Sequence, residues 1–392
     1  MEIVLDPRTS LPEDGTEGVL IARVWRPGEE PGPEVAVLRQ DGVFALGRAA
    51  PTVADLLEAD DPAALARNAP GERIGSIAEL LANSAAARRN PALPHFLAPV
   101  DLQAIKAAGV TFMQSLLERV IEEQCKGNPA AAEGVRRTLA REIGADLASI
   151  KPGTPAATRL KEALVARGLW SQYLEVGIGP DAEIFTKAQP MSAVGTGAGI
   201  GLHPASVWNN PEPEVVLVVS SRGTILGATL GNDVNLRDFE GRSALLLGKS
   251  KDNNASCALG PFIRLFDRSF TLDDVRACTV SLKVDGEDGF SLTGESSMRL
   301  ISRDPTELVA QTIGAAHQYP DGFVLFCGTM FAPTEDRGEK GQGFTHRRGD
   351  IVTISSPKLG ALVNRVDTSD RLPRWDFGTR ALLRHLARRG VL

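Results

Sequence analysis

Hydrophobic and polar positions change rhythm twice along the chain. Over residues 1–95, short apolar runs at Val19–Trp25, Glu34–Arg39 and Val43–Leu46 are separated by Pro27-Gly28, Pro31-Gly32 and Asp41-Gly42. That spacing predicts a small antiparallel sheet with tight turns, followed by short helices near 52–58 and 76–84. From about 100 to 170, Ala, Leu, Glu and Arg dominate and apolar residues recur every three or four positions. Phe112, Leu116, Leu117 and Val120 share one face, and helices are expected over 111–124, 129–147 and 155–168.

From about 171 the pattern turns to strands. Val215–Ser220 and Thr224–Thr229 flank Ser221-Arg222-Gly223, and Thr279–Val284 and Phe290–Thr293 flank a second Gly-containing turn. Both read as hairpins. Phe323–Cys327, Ile351–Ser355 and Ala361–Val366 add strands, and Asp304-Pro305-Thr306-Glu307 starts a helix expected to reach about 317. Strands do not alternate regularly with helices, so the fold class expected is α+β with a mixed, mostly antiparallel β-roll. The division expected is a small β-rich N-terminal accessory domain (1–95) and a larger domain (96–392) made of a helical segment (100–170) and the roll (171–392).

Composition narrows the function. The 392 residues carry 49 acids against 43 bases, a net charge of −6. A nucleic-acid partner, which needs a basic face, is not expected. No apolar run approaches the ~18 residues of a membrane span, and the N-terminus lacks the pattern of a secretory signal. A cytoplasmic protein is the expectation. Cys125, Cys257, Cys278 and Cys327 form no C-x-x-C motif, so reduced thiols are expected. With only five His, a metal site would have to be built from carboxylates.

The run Gly195-Thr-Gly-Ala-Gly-Ile-Gly201 has the wrong register for a dinucleotide fingerprint, and His203-Pro204 opposes an immediate helix. It reads as a loop near a site. Glu212-Pro213-Glu214 is more informative. In an extended segment both carboxylates project from one face and repel unless a cation or a proton compensates. Asp233 closes the next strand-like run. Three carboxylates make a hard oxygen site suited to Mg²⁺, with Arg237 placed to bind a substrate carboxylate and Lys249 a proton-transfer group.

The order Glu-x-Glu, Asn232-Asp233-x-x-x-Arg237-Asp238 and Gly248-Lys249-Ser250 resembles the fumarylacetoacetate hydrolase family. Phe185-Thr-Lys187, Leu259-Gly260-Pro261, Gly328-Thr329, Gly349-Asp350 and Gly360–Asn364 resemble further motifs of it. The likeness covers about residues 108–366. It implies the mixed β-roll fold and Mg²⁺ or Mn²⁺ held by Glu212, Glu214 and Asp233, with Lys249 acting on the substrate. Lys187, Arg237, Ser115, Gly328 and Thr329 would contact that substrate, and a homo-oligomer, dimeric or tetrameric, is implied.

One departure matters. Hydrolytic members carry Y-x-x-H-x-x-E on a lid helix; here the match is Phe112-x-x-Ser115-x-x-Glu118. Serine is no neutral-pH base without an activator, which leaves Glu118 as an acid or base that a lid could bring in. The expected chemistry is therefore elimination. Phe185–Pro190, Val207–Glu214 and Phe326–Thr334 resemble the branch of the family that dehydrates 2-keto-3-deoxy-D-xylonate (D-arabinonate) to 2,5-dioxopentanoate in pentose breakdown. Two alternatives stand beside it: hydrolysis of a 2,4-diketo-3-deoxy sugar acid with release of pyruvate, and a catalytically silent member.

Overall fold

The structure is a computed structural model that describes residues 1–142, 150–166, 168, 170–331, 333–337 and 343–392. Two sheets organise it. The larger has eleven strands, ten of them in one path. That path runs through Glu72–Gly75, Gly42–Ala45, Gly32–Arg39, Leu20–Arg26, Cys257–Leu265, Ile225–Asp233, Pro213–Val219, Phe323–Phe326, Ala104–Ala108 and Ile184–Ala188. His95–Leu97 pairs off the path with Leu20–Arg26. The smaller has five strands, in the order Ser291–Ser297, Thr279–Asp285, Ile351–Ser356, Gly360–Thr368 and Gly199–Leu202. Pairing is antiparallel except Phe323–Phe326 with Ala104–Ala108, and Gly360–Thr368 with Gly199–Leu202. This is the α+β, mixed-sheet architecture the sequence pattern predicts.

The unbroken run Val215-Val-Leu-Val-Val219 is buried on both faces, which is why it lacks polar alternation. Val215, Leu217 and Val219 pack with Val280, Leu282 and Ile354 of the second sheet. Val216 and Val218 pack with Val53, Leu56 and Leu57, on the helix Val53–Glu58. The N-terminal region therefore covers the back of the central strands and also joins their sheet, through Leu20↔Arg264 and Ile21↔Ile263.

Both hairpins stand where expected. Helices Met113–Gln124 and Pro155–Ala166 match the periodic stretches. The helix expected over 129–147 is described as Ala132–Glu142, and 143–149 lie outside the described residues. Several described helices, among them Pro62–Asn68, Gln172–Ile178, Leu272–Arg276 and Thr379–Arg388, were not anticipated. The helix beginning at Pro305 ends at Thr312, not near 317, because Gly314 and His317 close a tight bridge. The Gly-rich run serves packing: a side chain at Gly195 would strike the backbone of Leu97, and one at Gly197 the carbonyl of Ser84. It does not line the carboxylate cavity described next. All four cysteines are free and buried.

Candidate active site

Alternation in the strand Pro213–Val219 puts Glu212 and Glu214 on the face shared by Val216 and Val218. The neighbouring strand supplies the third acid. Gly231 pairs with Glu214 and Asn232 with Pro213, and Asp233 N donates to Glu212 O at 3.1 Å. Opposed residues of an antiparallel pair share a face, so the three side chains converge. One oxygen from each of Glu212, Glu214 and Asp233 lies within 4.8 Å of the others, and all three residues are buried. Gly231 has no side chain because the Phe326 ring occupies that place, 2.3 Å from where a Cβ would stand.

The three acids are held differently. Glu214 accepts from Gly328 N at 2.6 Å and Thr329 Oγ1 at 3.3 Å. Burial, followed by the charge of Asp233, pushes its carboxyl up to about 8. Asp233 lies 2.8 Å from Lys187 Nζ and 3.2 Å from Lys251 Nζ. Burial works against its ionisation, but the two ammonium groups outweigh it and hold this carboxyl below its ordinary range. Glu212 accepts from Lys251 Nζ at 2.6 Å and from Arg119. Among the described residues no cationic side chain pairs with Glu214. Three convergent, buried, all-oxygen donors, one without a counter-charge, fit a hard divalent cation such as Mg²⁺.

The lysine at this site is Lys251, which corrects the expectation for Lys249. Lys249 is exposed, its Nζ 5.1 Å from the Phe239 ring. Both lie on the short helix Leu247–Lys251, where two positions differ by about 200° around the axis. Only one of them can face the carboxylates.

Three further expectations change. Arg237 is fully buried, bonded to Glu122 Oε1 at 2.6 Å and Glu118 Oε2 at 2.7 Å, with its guanidinium over Trp208 at 4.4 Å. It is spent on internal acids and is not free for a substrate. Glu118 is clasped between Arg237 and Arg136, the latter at 3.0 Å. Burial opposes its ionisation, yet the bond from Arg136 and the charge of Arg237 hold its carboxyl below the usual range. An acid so paired is a poor proton carrier, and it does not line the cavity. Lys187 also departs from its expected substrate contact. Its ammonium donates to Lys251 O at 2.5 Å and Val234 O at 3.2 Å and faces Asp233. Ser115 does line the cavity, but its Oγ donates to Phe112 O at 2.9 Å. Thr329 lines the cavity as well, and Gly328 serves Glu214 through its N–H.

The cavity wall also holds Phe185, from the Phe185-Thr-Lys187 motif, and Arg119, Glu183 and Glu240, which the sequence reading did not single out. Glu183 stands just ahead of the edge strand Ile184–Ala188, and Gly109 opposite has no room for a Cβ beside its carboxylate. Burial, then the charge of Glu240, pushes the Glu183 carboxyl up to about 7. The signal was present: Glu183, Phe185 and Lys187 alternate, and alternate residues of a strand share a face. Arg119 bridges Glu212, Glu122 at 2.5 Å and Glu240 at 3.5 Å.

Residues 175–367 match the family model described as Fumarylacetoacetate (FAA) hydrolase C-terminal. The chain is 34% identical over 187 residues to 2-dehydro-3-deoxy-D-arabinonate dehydratase of Saccharolobus solfataricus, covering 47% of this chain and 58% of that protein. It is 32% identical over 201 residues to a probable 2-keto-3-deoxyxylonate dehydratase of Haloferax volcanii, covering 50% of this chain and 64% of that one. In both comparisons the chain spans less than two thirds of the relative's length. The fold is that of 2-keto-3-deoxy-D-arabinonate dehydratase complexed with magnesium and 2,5-dioxopentanoate. The TM-score is 0.57 at 22% identity, over 89% of this chain and 99% of that one. No described helix is long and apolar enough to cross a membrane.

Proposed function

We propose that the protein is a Mg²⁺-dependent dehydratase of 2-keto-3-deoxy-pentonates, converting 2-keto-3-deoxy-D-xylonate to 2,5-dioxopentanoate and water in oxidative pentose degradation in the cytoplasm. The observation that carries this is the buried triad Glu212, Glu214 and Asp233 facing Lys251 and Glu183 across one cavity. The two relatives more than 30% identical to the chain bear dehydratase names, which supports the same reading. A divalent cation held by the triad would supply Lewis-acid polarisation of a 2-keto acid. Arg119, on the cavity wall and paired with Glu212, Glu122 and Glu240, holds the ligand Glu212 in place. Lys251 keeps positive charge beside the oxygen where an enolate develops. Glu183, poised near neutrality, takes the C3 proton and returns one to the departing C4 hydroxyl. The C3–H and C4–O bonds break, water leaves and a C3=C4 double bond conjugated to the 2-keto group forms. Loss of a C5 proton and protonation at C3 shift it to a C4=C5 enol, which gains a proton at C4 and loses the C5 hydroxyl proton to give the aldehyde. Ser115, engaged as a donor and unable to activate water, fits elimination better than hydrolysis.

The test is purified protein with 2-keto-3-deoxy-D-xylonate, with and without EDTA. Semialdehyde should form with Mg²⁺ and stop on chelation. Pyruvate, read by coupled lactate dehydrogenase, would support the hydrolase alternative instead.

A further inference from the structure

The turn Gly328-Thr329 supplies both hydrogen bonds that orient Glu214. Beyond it the chain leaves the large sheet and enters the smaller one at Ile351. Just ahead of that strand, Asp350 is fully buried and accepts four hydrogen bonds: Arg337 Nη1 at 2.5 Å and Nη2 at 2.8 Å, Arg347 N at 2.9 Å and His346 Nδ1 at 3.1 Å. Arg337 reaches on to Asp288 Oδ1 at 2.9 Å, in the turn of the outer hairpin, and lies over the Phe290 ring at 4.6 Å. His346 N donates to Asn209 Oδ1 at 3.2 Å, and Asn209 N donates to Thr345 Oγ1 at 3.3 Å. Asn209 is three residues ahead of Glu212. One buried carboxylate thus binds Arg337, eight residues past Thr329, and through His346 reaches Asn209, three residues ahead of Glu212.

We propose that Asp350 is a positioning residue of the active site, fixing the Gly328-Thr329 turn from outside the cavity. It touches no group on the cavity wall, so it acts through the backbone it anchors. A neutral amide at this position would present N–H groups to Arg337 and lose acceptor sites. Arg337, His346 and Arg347 would then be held less firmly, and with them the donors to Glu214. The catalytic consequence rests on the proposed function; the positional claim does not.

Hydrogen exchange by mass spectrometry on Asp350→Asn tests it. The segment 326–331 should exchange at least tenfold faster than in the parent protein, with 215–219 unchanged. Mg²⁺ Kd should weaken at least fivefold, with kcat lowered more than KM is raised. A Val24→Ala variant, matched in Tm loss but remote from the site, should show neither effect. Unchanged exchange at 326–331, or equal acceleration everywhere, overturns the proposal. If Asp350→Asn does not fold, Asp288→Asn weakens the outer contact that Arg337 shares with Arg347 and leaves Asp350 intact. A smaller acceleration confined to 326–331 supports the proposal, and none overturns it. A parent protein that binds no Mg²⁺ would sink the functional reading and leave the exchange result to decide the role of Asp350.

Discussion

Lys251 Nζ lies 2.6 Å from Glu212 Oε2, and that pair decides which lysine of the Gly248-Lys249-Ser250-Lys251 run serves the site. Lys251→Met should lower kcat by ~10² or more. Lys249→Met, on an exposed side chain, should stay within about twofold of the parent, because nothing in its surroundings reaches the substrate. Steady-state kinetics of the two variants checks this. Equal losses would mean the helix presents its other face.

Glu183→Gln should remove an activity limb near neutral pH and lower kcat by ~10²–10⁴. The sign for stability follows from the same shift. The folded carboxyl is raised from 4.5 to about 7, so the folded state holds the proton more tightly. Stability is greatest below the ordinary value and falls as pH rises through about 7. The Gln variant should lose that fall. Urea midpoints from pH 5 to 8 would show it.

Mg²⁺ should stabilise the fold by mass action. At one hundred times Kd the gain is about 2.7 kcal/mol, visible as a higher Tm than in EDTA. Glu214→Gln should abolish the difference. Coincident melting curves for the parent protein with and without Mg²⁺ would argue against a metal at the triad.

Arg237→Met should destabilise by about 3–5 kcal/mol, because Glu118 and Glu122 would be left buried beside an apolar side chain. Arg237→Lys should cost less, since an ammonium can keep one of the two acids but not the fork that now holds both. If either substitution raised KM alone without loss of stability, the substrate role expected from sequence would be reinstated.

Much of this was legible before the fold. The apolar run 215–219 announced a hairpin strand, and Glu212-x-Glu214 with Asp233 needed only strand alternation and that one hairpin to be brought together. What could not be read depended on longer-range geometry. Arg237 and Glu118 lie 119 positions apart and neutralise each other, so each looked free when seen alone. Lys249 and Lys251 differ only by a helical rotation, which sequence spacing does not resolve over five residues. Glu183 gains its character from burial among other acids, a property of the assembled cavity.

The junction at Leu20↔Arg264 and Ile21↔Ile263 sets how the molecule can be divided. Strand Cys257–Leu265 carries the Leu259-Gly260-Pro261 motif and is wholly buried. Cutting the chain near residue 95 would turn it into a bare edge with unpaired backbone groups and a stripped apolar face over Val216 and Val218. Such an edge recruits other chains. The first ninety-five residues thus act as a cap on the sheet that carries the acidic site, and a shortened chain should be lost to aggregation before its chemistry could be measured.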